Sequence, residues 1–115
     1  MDYSARQRTD SRYRMLSGTS VKATATTVYR CPVDKAASIS SIWMCNTGTS
    51  SATMTIHHLR PNESVATSNA LVYGLTCNGN TTTLLESTIP LVSGDSISAL
   101  SSSTNMTIVL YGTEA

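Results

Sequence analysis

The stretch from Ile89 to Leu100 constrains the fold of this chain more than any other part of it. Pro90 cannot donate a backbone hydrogen bond, which places it at the start of a strand or on a sheet edge. The segment Ser93–Asp95 is typical of a tight turn, because Gly tolerates positive φ and Asp bonds to nearby backbone. Ile97 and Ala99 then alternate with serines, as in a strand with one buried face. We therefore predict a corner where the chain passes between the two layers of a β-sandwich.

The composition favours an all-β chain. Charged residues make up 13% of the 115 residues, about half the usual share, and Phe is absent. Ser and Thr together make up nearly a third of the chain. Thr favours strands, and neither residue favours the interior of a helix. Low charge also weakens repulsion between copies, so we expect a surface suited to close packing. The alternative is a monomer kept soluble by its hydroxyl groups.

Charge and cysteine content argue against several functional classes. The net charge of +1 gives no case for membrane binding and makes nucleic acid an unlikely partner. No apolar run approaches the roughly 20 residues that span a bilayer, and we expect no secretory signal at the N-terminus. Cys31, Cys45 and Cys77 fit neither a disulfide framework nor a zinc site. We expect free thiols in a protein made in a reducing cytosol.

Residues 1–18 differ from the rest and are predicted to form an extended N-terminal arm, with a β-sandwich domain at 19–115. The arm carries half of the Lys and Arg residues and two tyrosines. We interpret it as a strap on a neighbouring subunit, in which Arg pairs with carboxylates and Tyr adds apolar area. A nucleic-acid contact and a solvated tail are the alternatives. The candidate interface residues are Tyr3, Arg6, Arg8, Arg12, Tyr13 and Arg14.

The segment from Thr19 onward is predicted to form seven or eight antiparallel strands, as in a β-sandwich or jelly roll. Trp43 is the only tryptophan and is predicted to be a core anchor. Turn residues at Asn46–Ser50 predict a hairpin into an alternating strand that begins near Ala52. A second hairpin turn is predicted at Asn78–Asn80.

Two further features complete the strand prediction. Gly74 is predicted to break or bulge its strand. The alternating segment from Met106 to Tyr111 is predicted to be the last strand and to close the sheet.

Residues that could carry chemistry are few, and no cofactor is expected. His57 and His58 are adjacent, so on a strand their side chains point to opposite faces and cannot share a metal ion. The acidic residues are scattered, and the sequence offers no general acid and base pair. No strained turn or glycine cluster frames a cysteine nucleophile. We expect a protein that is not an enzyme, with a small hydrolase as the least favoured hypothesis.

Three segments, in order, resemble small structural proteins of tailed bacteriophage particles. They are Val28–Ile42, with the pattern Y-x-x-P-x-x-K-x-A-x-I-x-x-I, then Cys45–Ile56, and then Ile89–Ile97, with I-P-L-x-x-G-D-x-I. The resemblance covers roughly residues 26–112 and leaves out the arm. It implies a jelly-roll module that serves either as a head decoration (cement) protein or as a part of the tail or fibres. The shared positions are turns and core, so the resemblance transfers no functional residues.

The resemblance and the arm together predict a capsid decoration protein that is made in the host cytoplasm and lies at the capsid surface of the virion. Its expected partners are the major capsid protein, other virion proteins and further copies of itself, as a dimer or trimer. The alternative is a neck, tail or tail-fibre component with a receptor- or glycan-binding role. Tyr73 and Tyr111 are the tyrosines outside the arm that could serve glycan binding.

Overall fold

The computed structural model describes residues 12–115, which form eight β-strands and one short 3-10 turn at Thr67–Asn69. The alternation of apolar and hydroxyl side chains in the sequence gives each strand one face for the core and one for solvent. The strands are β1 (Arg14–Val21), β2 (Thr26–Arg30), β3 (Ala37–Asn46), β4 (Ala52–Leu59), β5 (Ala70–Cys77), β6 (Thr81–Leu91), β7 (Ser96–Ser101) and β8 (Met106–Glu114).

The strands form two four-stranded antiparallel sheets. Sheet A has the order β1-β8-β3-β6, and sheet B has the order β2-β7-β4-β5. The pairs β1 with β8, β2 with β7, β3 with β6 and β4 with β5 describe one long hairpin that folds at the β4–β5 connection. This hairpin is rolled into two facing sheets, which is the connectivity of a jelly roll. The predicted all-β sandwich is therefore confirmed.

The core lies between the sheets and is built from alternate positions of the central strands. In sheet A, Leu110 pairs with Ile42, and Ile108 pairs with Met44. In sheet B, Ile56 pairs with Ala99. All of these side chains are buried. Removing such apolar surface from water, at about 25 cal/mol per Å², is the main force that holds the layers together.

The corner at Ser93–Asp95 joins β6 of sheet A to β7 of sheet B, as predicted. Gly94 has φ of +87°, a conformation that residues with a Cβ rarely adopt. The buried Asp95 accepts a hydrogen bond from the Val92 amide at 3.3 Å, and its backbone N–H donates to the Val92 carbonyl at 3.0 Å. The bulge predicted at Gly74 is also present, with φ of +64° and an irregular β4–β5 register.

Both predicted hairpins are wrong, because the strands on either side of each turn belong to different sheets. Asn46–Ser50 connects β3 of sheet A to β4 of sheet B, and Asn78–Asn80 connects β5 of sheet B to β6 of sheet A. A short polar connection between two alternating segments has the same sequence pattern in both cases. The pairing partner is decided by core packing between distant strands, which local turn chemistry does not specify.

Strand β1 begins at Arg14, five residues before the strand expected from Thr19. Arg14 pairs with Gly112, and Gly18 pairs with Val109, so the end of the predicted arm is part of the ladder with β8. The sequence hides this strand because a bulge between Met15 and Ser17 interrupts its alternation. Residues 1–11 lie outside the described part of the chain.

A partly buried polar contact joins the two layers near the open edge between β1 and β2. The Tyr29 hydroxyl donates a hydrogen bond to the Glu114 carboxylate, and the Arg14 guanidinium lies 3.5 Å from the same carboxylate. Burial, together with the hydrogen bond to Glu114 and its negative charge, raises the pKa of the Tyr29 hydroxyl.

Replacing Tyr29 with Phe should make the free energy of unfolding fall less steeply at alkaline pH. A tyrosine whose pKa is raised by folding stabilises the folded state below its unfolded pKa of about 10. That contribution falls as the pH rises above about 10, because the unfolded chain then loses the proton first. Denaturant unfolding across this range should show a smaller decline for Tyr29→Phe than for the wild type. Parallel declines would mean that Tyr29 does not couple folding to pH.

Candidate interaction surface

The outer face of sheet A carries four of the large apolar side chains that are exposed among the described residues, namely Tyr13, Met15, Trp43 and Leu84. The strand registers arrange these outward residues in rows that cross all four strands. The central row is Gly18, Val109, Trp43 and Leu84, and the row beside it is Met15, Tyr111, Ser41 and Glu86. A third row is Ser20, Thr107, Cys45 and Thr82. We call the apolar members of this surface, together with Tyr13, the aromatic face: Tyr13, Met15, Trp43, Leu84, Val109 and Tyr111.

Tyr13 is held flat against the aromatic face. Its ring stacks on that of Tyr111, with centroids 6.2 Å apart and planes inclined by 20°. Its hydroxyl lies 2.9 Å from the hydroxyl of Ser41. Tyr13, Tyr111 and Trp43 line a shallow depression of about 270 Å³. The first described residues of the chain are therefore ordered on the surface that carries the tryptophan.

Trp43 is not the core anchor that the sequence predicts. Its side chain is 42% exposed on the outer face, whereas its neighbours Ile42 and Met44 are buried. Both faces of this strand are apolar, so the sequence pattern does not identify the inner one. Ile42 and Met44 face inward because they share rows with the buried Leu110 and Ile108 of β8.

The predicted interface residues have different positions. Tyr13 lies on the aromatic face and is 58% exposed. Arg14 contacts Glu114 of its own chain, and Arg12 is exposed beside it. Tyr3, Arg6 and Arg8 lie outside the described residues. The sequence analysis missed the exposed members Met15, Trp43 and Leu84. Only Trp43 had a signal in the sequence, because its strand has apolar residues on both faces.

The second depression of the surface lies at one end of the sandwich, where the β4–β5 connection folds over. It measures about 450 Å³, and His58, Arg60, Glu63 and Asn69 are among its lining residues. Arg60 and Glu63 form an exposed ion pair at 3.0 Å, and the hydrogen bonds from Arg60 lower the pKa of Glu63. Such exposed pairs contribute little to stability.

The two histidines point to opposite sides of β4, as predicted. His57 is buried with its Nδ1 2.8 Å from the Asn69 side-chain oxygen, and His58 Nε2 lies 3.0 Å from Asp95 Oδ2. Within residues 12–115, no cluster of three or more His, Cys, Asp or Glu side chains could hold a metal ion. The His58–Asp95 contact fixes the corner before β7.

The three cysteines are unpaired in the structure. Cys31 and Cys77 are buried, and Cys45 is half-buried on the outer face of sheet A. Burial raises the pKa of the Cys31 thiol, so the thiolate that reacts with alkylating reagents is disfavoured there. Cys45 is therefore the most accessible thiol for labelling of the folded chain.

Comparison with known proteins gives little further guidance. No protein-family model matches the chain, and no curated protein matches it. One similar solved structure is a chain from infectious bursal disease virus, Gx strain, at 14% identity and a TM-score of 0.40. The match covers 90% of this chain and 39% of that chain. A similarity this distant carries no conclusion about function. Across residues 12–115, no helix has the length and apolar character needed to cross a membrane.

Proposed function

We propose that this chain is a structural protein of a virus particle, and that it acts as a cement protein on the capsid surface. The observation that carries the proposal is the aromatic face, a contiguous exposed apolar surface on a rigid sheet. Trp43 and Leu84 are each 42% exposed there, and Met15 is 56% exposed. Exposed apolar patches of this kind mark contact surfaces. The protein would act by adding contact area between subunits, not by catalysis.

The N-terminal segment supports the same function. Strand β1 begins at Arg14, so the chain before it enters sheet A beside the aromatic face. The sequence before it contains Tyr3, Arg6 and Arg8, residue types that suit contacts with neighbouring subunits. A surface and a tethered segment that contact neighbouring subunits together bind far more tightly than either alone. The resemblance of the three sequence segments to phage virion proteins agrees with this role.

Particles that lack this protein should lose resistance to heat, and adding back the purified chain should restore it. The reason is that a ligand that binds only the assembled shell stabilises it by mass action. Particle integrity during a heating series measures the effect. A chain from which residues 2–11 are deleted should fold normally but restore much less resistance. Equal heat resistance with and without the protein would contradict the cement role.

A neck, tail or fibre component that binds glycans is the second candidate. The observation that favours it is the depression between Tyr13, Trp43 and Tyr111, because sugar rings stack on exposed aromatic rings. Trp43 is the only tryptophan, so its fluorescence reports directly on this site. A saturable change in Trp43 emission on titration with host cell-surface glycans would support this candidate, and a flat response would argue against it.

A further inference from the structure

We propose that the free edge of β6 pairs with the β6 edge of a second copy of this chain, in an antiparallel dimer with twofold symmetry. This pairing would continue sheet A from one copy into the other. It depends on the backbone groups of a strand edge and is independent of the proposed function. The purified chain tests it in the absence of particles, so the dimer and the cement role can fail separately.

The sandwich has four strand edges, and that of β6 is the most regular one that lies open. The edges of β1 and β2 lie side by side, and the Ser17 hydroxyl donates to the Val28 carbonyl between them. In β5, Gly74 has φ of +64° and the register is irregular. Residues 81–86 of β6 instead pair with β3 without any shift, and no strand within residues 12–115 pairs with their other side. A regular open edge is a template for a further strand.

Backbone hydrogen bonds fix which residues of β6 face the open edge, because bonding alternates along an antiparallel pair. The Thr47 amide donates to the Asn105 carbonyl at 3.0 Å, at the end of the β3–β8 ladder. Two and four residues earlier, Cys45 and Trp43 therefore also direct their backbone groups toward β8. Leu84, the partner of Trp43 on β6, must then direct its N–H and C=O toward the open edge.

The position of Pro90 agrees with this assignment. Ala36 and Ala115 exchange both of their backbone hydrogen bonds, at 3.0 and 2.9 Å, so Ser38 also faces β8. Pro90 pairs with Ser38 and therefore faces the open edge, where its missing N–H costs the ladder no bond. It also ends the part of β6 that can receive a further strand.

Three residues of the regular segment face the open edge, and they are symmetric about the middle one. Leu84 is the middle residue, and Thr82 and Glu86 lie two positions to either side. A twofold axis at Leu84 sets it opposite Leu84 of the partner subunit and sets Thr82 opposite Glu86 of the partner subunit. Each outward residue then exchanges both backbone hydrogen bonds with the partner, and every contact occurs twice.

Other positions of the axis use this edge less well. An axis at Thr83 would set Glu86 opposite Asn80 of the partner subunit, and Asn80 is a turn residue with φ of +55°. An axis at Leu85 would bring in Thr88, which lies where the register between β6 and β3 shifts. The axis at Leu84 is the one that uses the regular segment alone.

The side chains that this axis brings together are compatible. Leu84 is 42% exposed, and its copy would cover it and continue the apolar row that contains Trp43. Glu86 is the only charged residue of the segment 81–86, and it would face the Thr82 hydroxyl and no like charge. Tyr13 contacts β8 and β3, so its position on the aromatic face and the pairing of β6 involve different strands.

Opposite charges at position 84 test the dimer directly, because this residue faces its own copy. Leu84→Lys sets two ammonium groups across the axis, and Leu84→Glu sets two carboxylates there. Each variant alone should raise the dimer dissociation constant about tenfold or more, measured by sedimentation equilibrium on the full chain. An equimolar mixture of the two should recover dimers, since an ammonium group then faces a carboxylate.

Leu71→Lys and Leu71→Glu are the matched controls. Leu71 is 43% exposed on β5 of sheet B, so it matches Leu84 in exposure but lies in the other sheet. Both control variants should dimerise as the wild type does. Thermal unfolding of all four variants verifies that each is folded.

Amide hydrogen exchange in the wild-type chain gives a second readout, one residue at a time. The N–H groups of Thr83 and Leu85 bond to β3 within one copy, so they should be protected at every concentration. Those of Thr82, Leu84 and Glu86 should be protected in concentrated solution and exchange rapidly after dilution.

Several results would overturn the proposal. They are a wild-type chain that stays monomeric at every concentration tested, a dimer that Leu84→Lys leaves intact, and a mixture of the two charged variants that remains monomeric. A monomer in which Thr82, Leu84 and Glu86 become protected only on particles would also overturn it, and would assign this edge to a strand of a capsid subunit.

Discussion

Replacing Gly112 with Ala should destabilise the fold by about 3 kcal/mol or more. Gly112 pairs with Ile39 where β8 runs beside the irregular part of β3. A Cβ at this position would lie 2.0 Å from the Ser38 carbonyl oxygen and 3.0 Å from the Ile39 Cα. Both are backbone atoms at the centre of sheet A, so relief requires the two strands to move apart. Urea unfolding of the purified variant measures the loss.

Gly18→Ala is the matched control for this prediction. Gly18 lies in β1 of the same sheet, but a Cβ there meets only side-chain atoms at ordinary distances. Its free energy of unfolding should change by less than about 1 kcal/mol, with a gain expected because Gly weakens a strand interior. Equal losses for the two alanine variants would show that close approach of the backbone at Gly112 is not what requires glycine.

Asn46→Asp should be nearly as damaging, at about 3 kcal/mol. The Asn46 side chain is fully buried at the end of β3 and joins three segments. Its amide nitrogen donates to the carbonyls of Ser50 at 2.9 Å and Cys77 at 3.0 Å, and its oxygen accepts from the Gly48 amide at 2.9 Å. A carboxylate of the same shape would set an oxygen against two carbonyl oxygens in a site that excludes water.

The pH dependence of the Asn46→Asp variant tests whether the buried charge is the cause of its lower stability. Burial raises the pKa of a carboxyl group, so the folded state would release its proton later than the unfolded chain. The difference in the free energy of unfolding between the variant and the wild type should therefore be small near pH 3 and grow as the pH rises above about 4. Asn80→Asp, at an exposed turn residue with φ of +55°, should show neither the loss nor the trend. A deficit independent of pH would mean that charge is not its cause.

The fold class and the strand-to-strand corner were predictable because they depend on local patterns. Alternation in the segment after Asp95 and the turn at Gly94 identify a strand and a corner from neighbouring residues alone. The two wrong hairpins show the limit of this reasoning. Asn46–Ser50 has the composition of a hairpin turn, yet the buried Asn46 side chain holds the end of β5 to the crossing between sheets. That contact joins residues distant in sequence, and no local pattern reveals it.

The candidate surface was harder to predict for a related reason. Trp43 and Met44 are adjacent and both apolar, and the rule that tryptophan is buried favours the wrong one. The inner face is chosen by the register with Ile108 and Leu110, which the sequence of β3 does not contain. Of the predicted interface residues, Tyr13 does lie on the exposed surface. Its position was predictable because the composition of the N-terminal segment differs from that of the rest of the chain. Leu84 lies there without any such signal.

The number of copies of this protein in each purified particle tests the central claim most directly. Quantitative protein staining or mass spectrometry against the major capsid protein gives this ratio. A cement protein covers the shell, so we expect a copy number comparable to that of the capsid subunits. A few copies per particle would place the protein in the neck, tail or fibres, and its absence from particles would contradict a structural role in the virion.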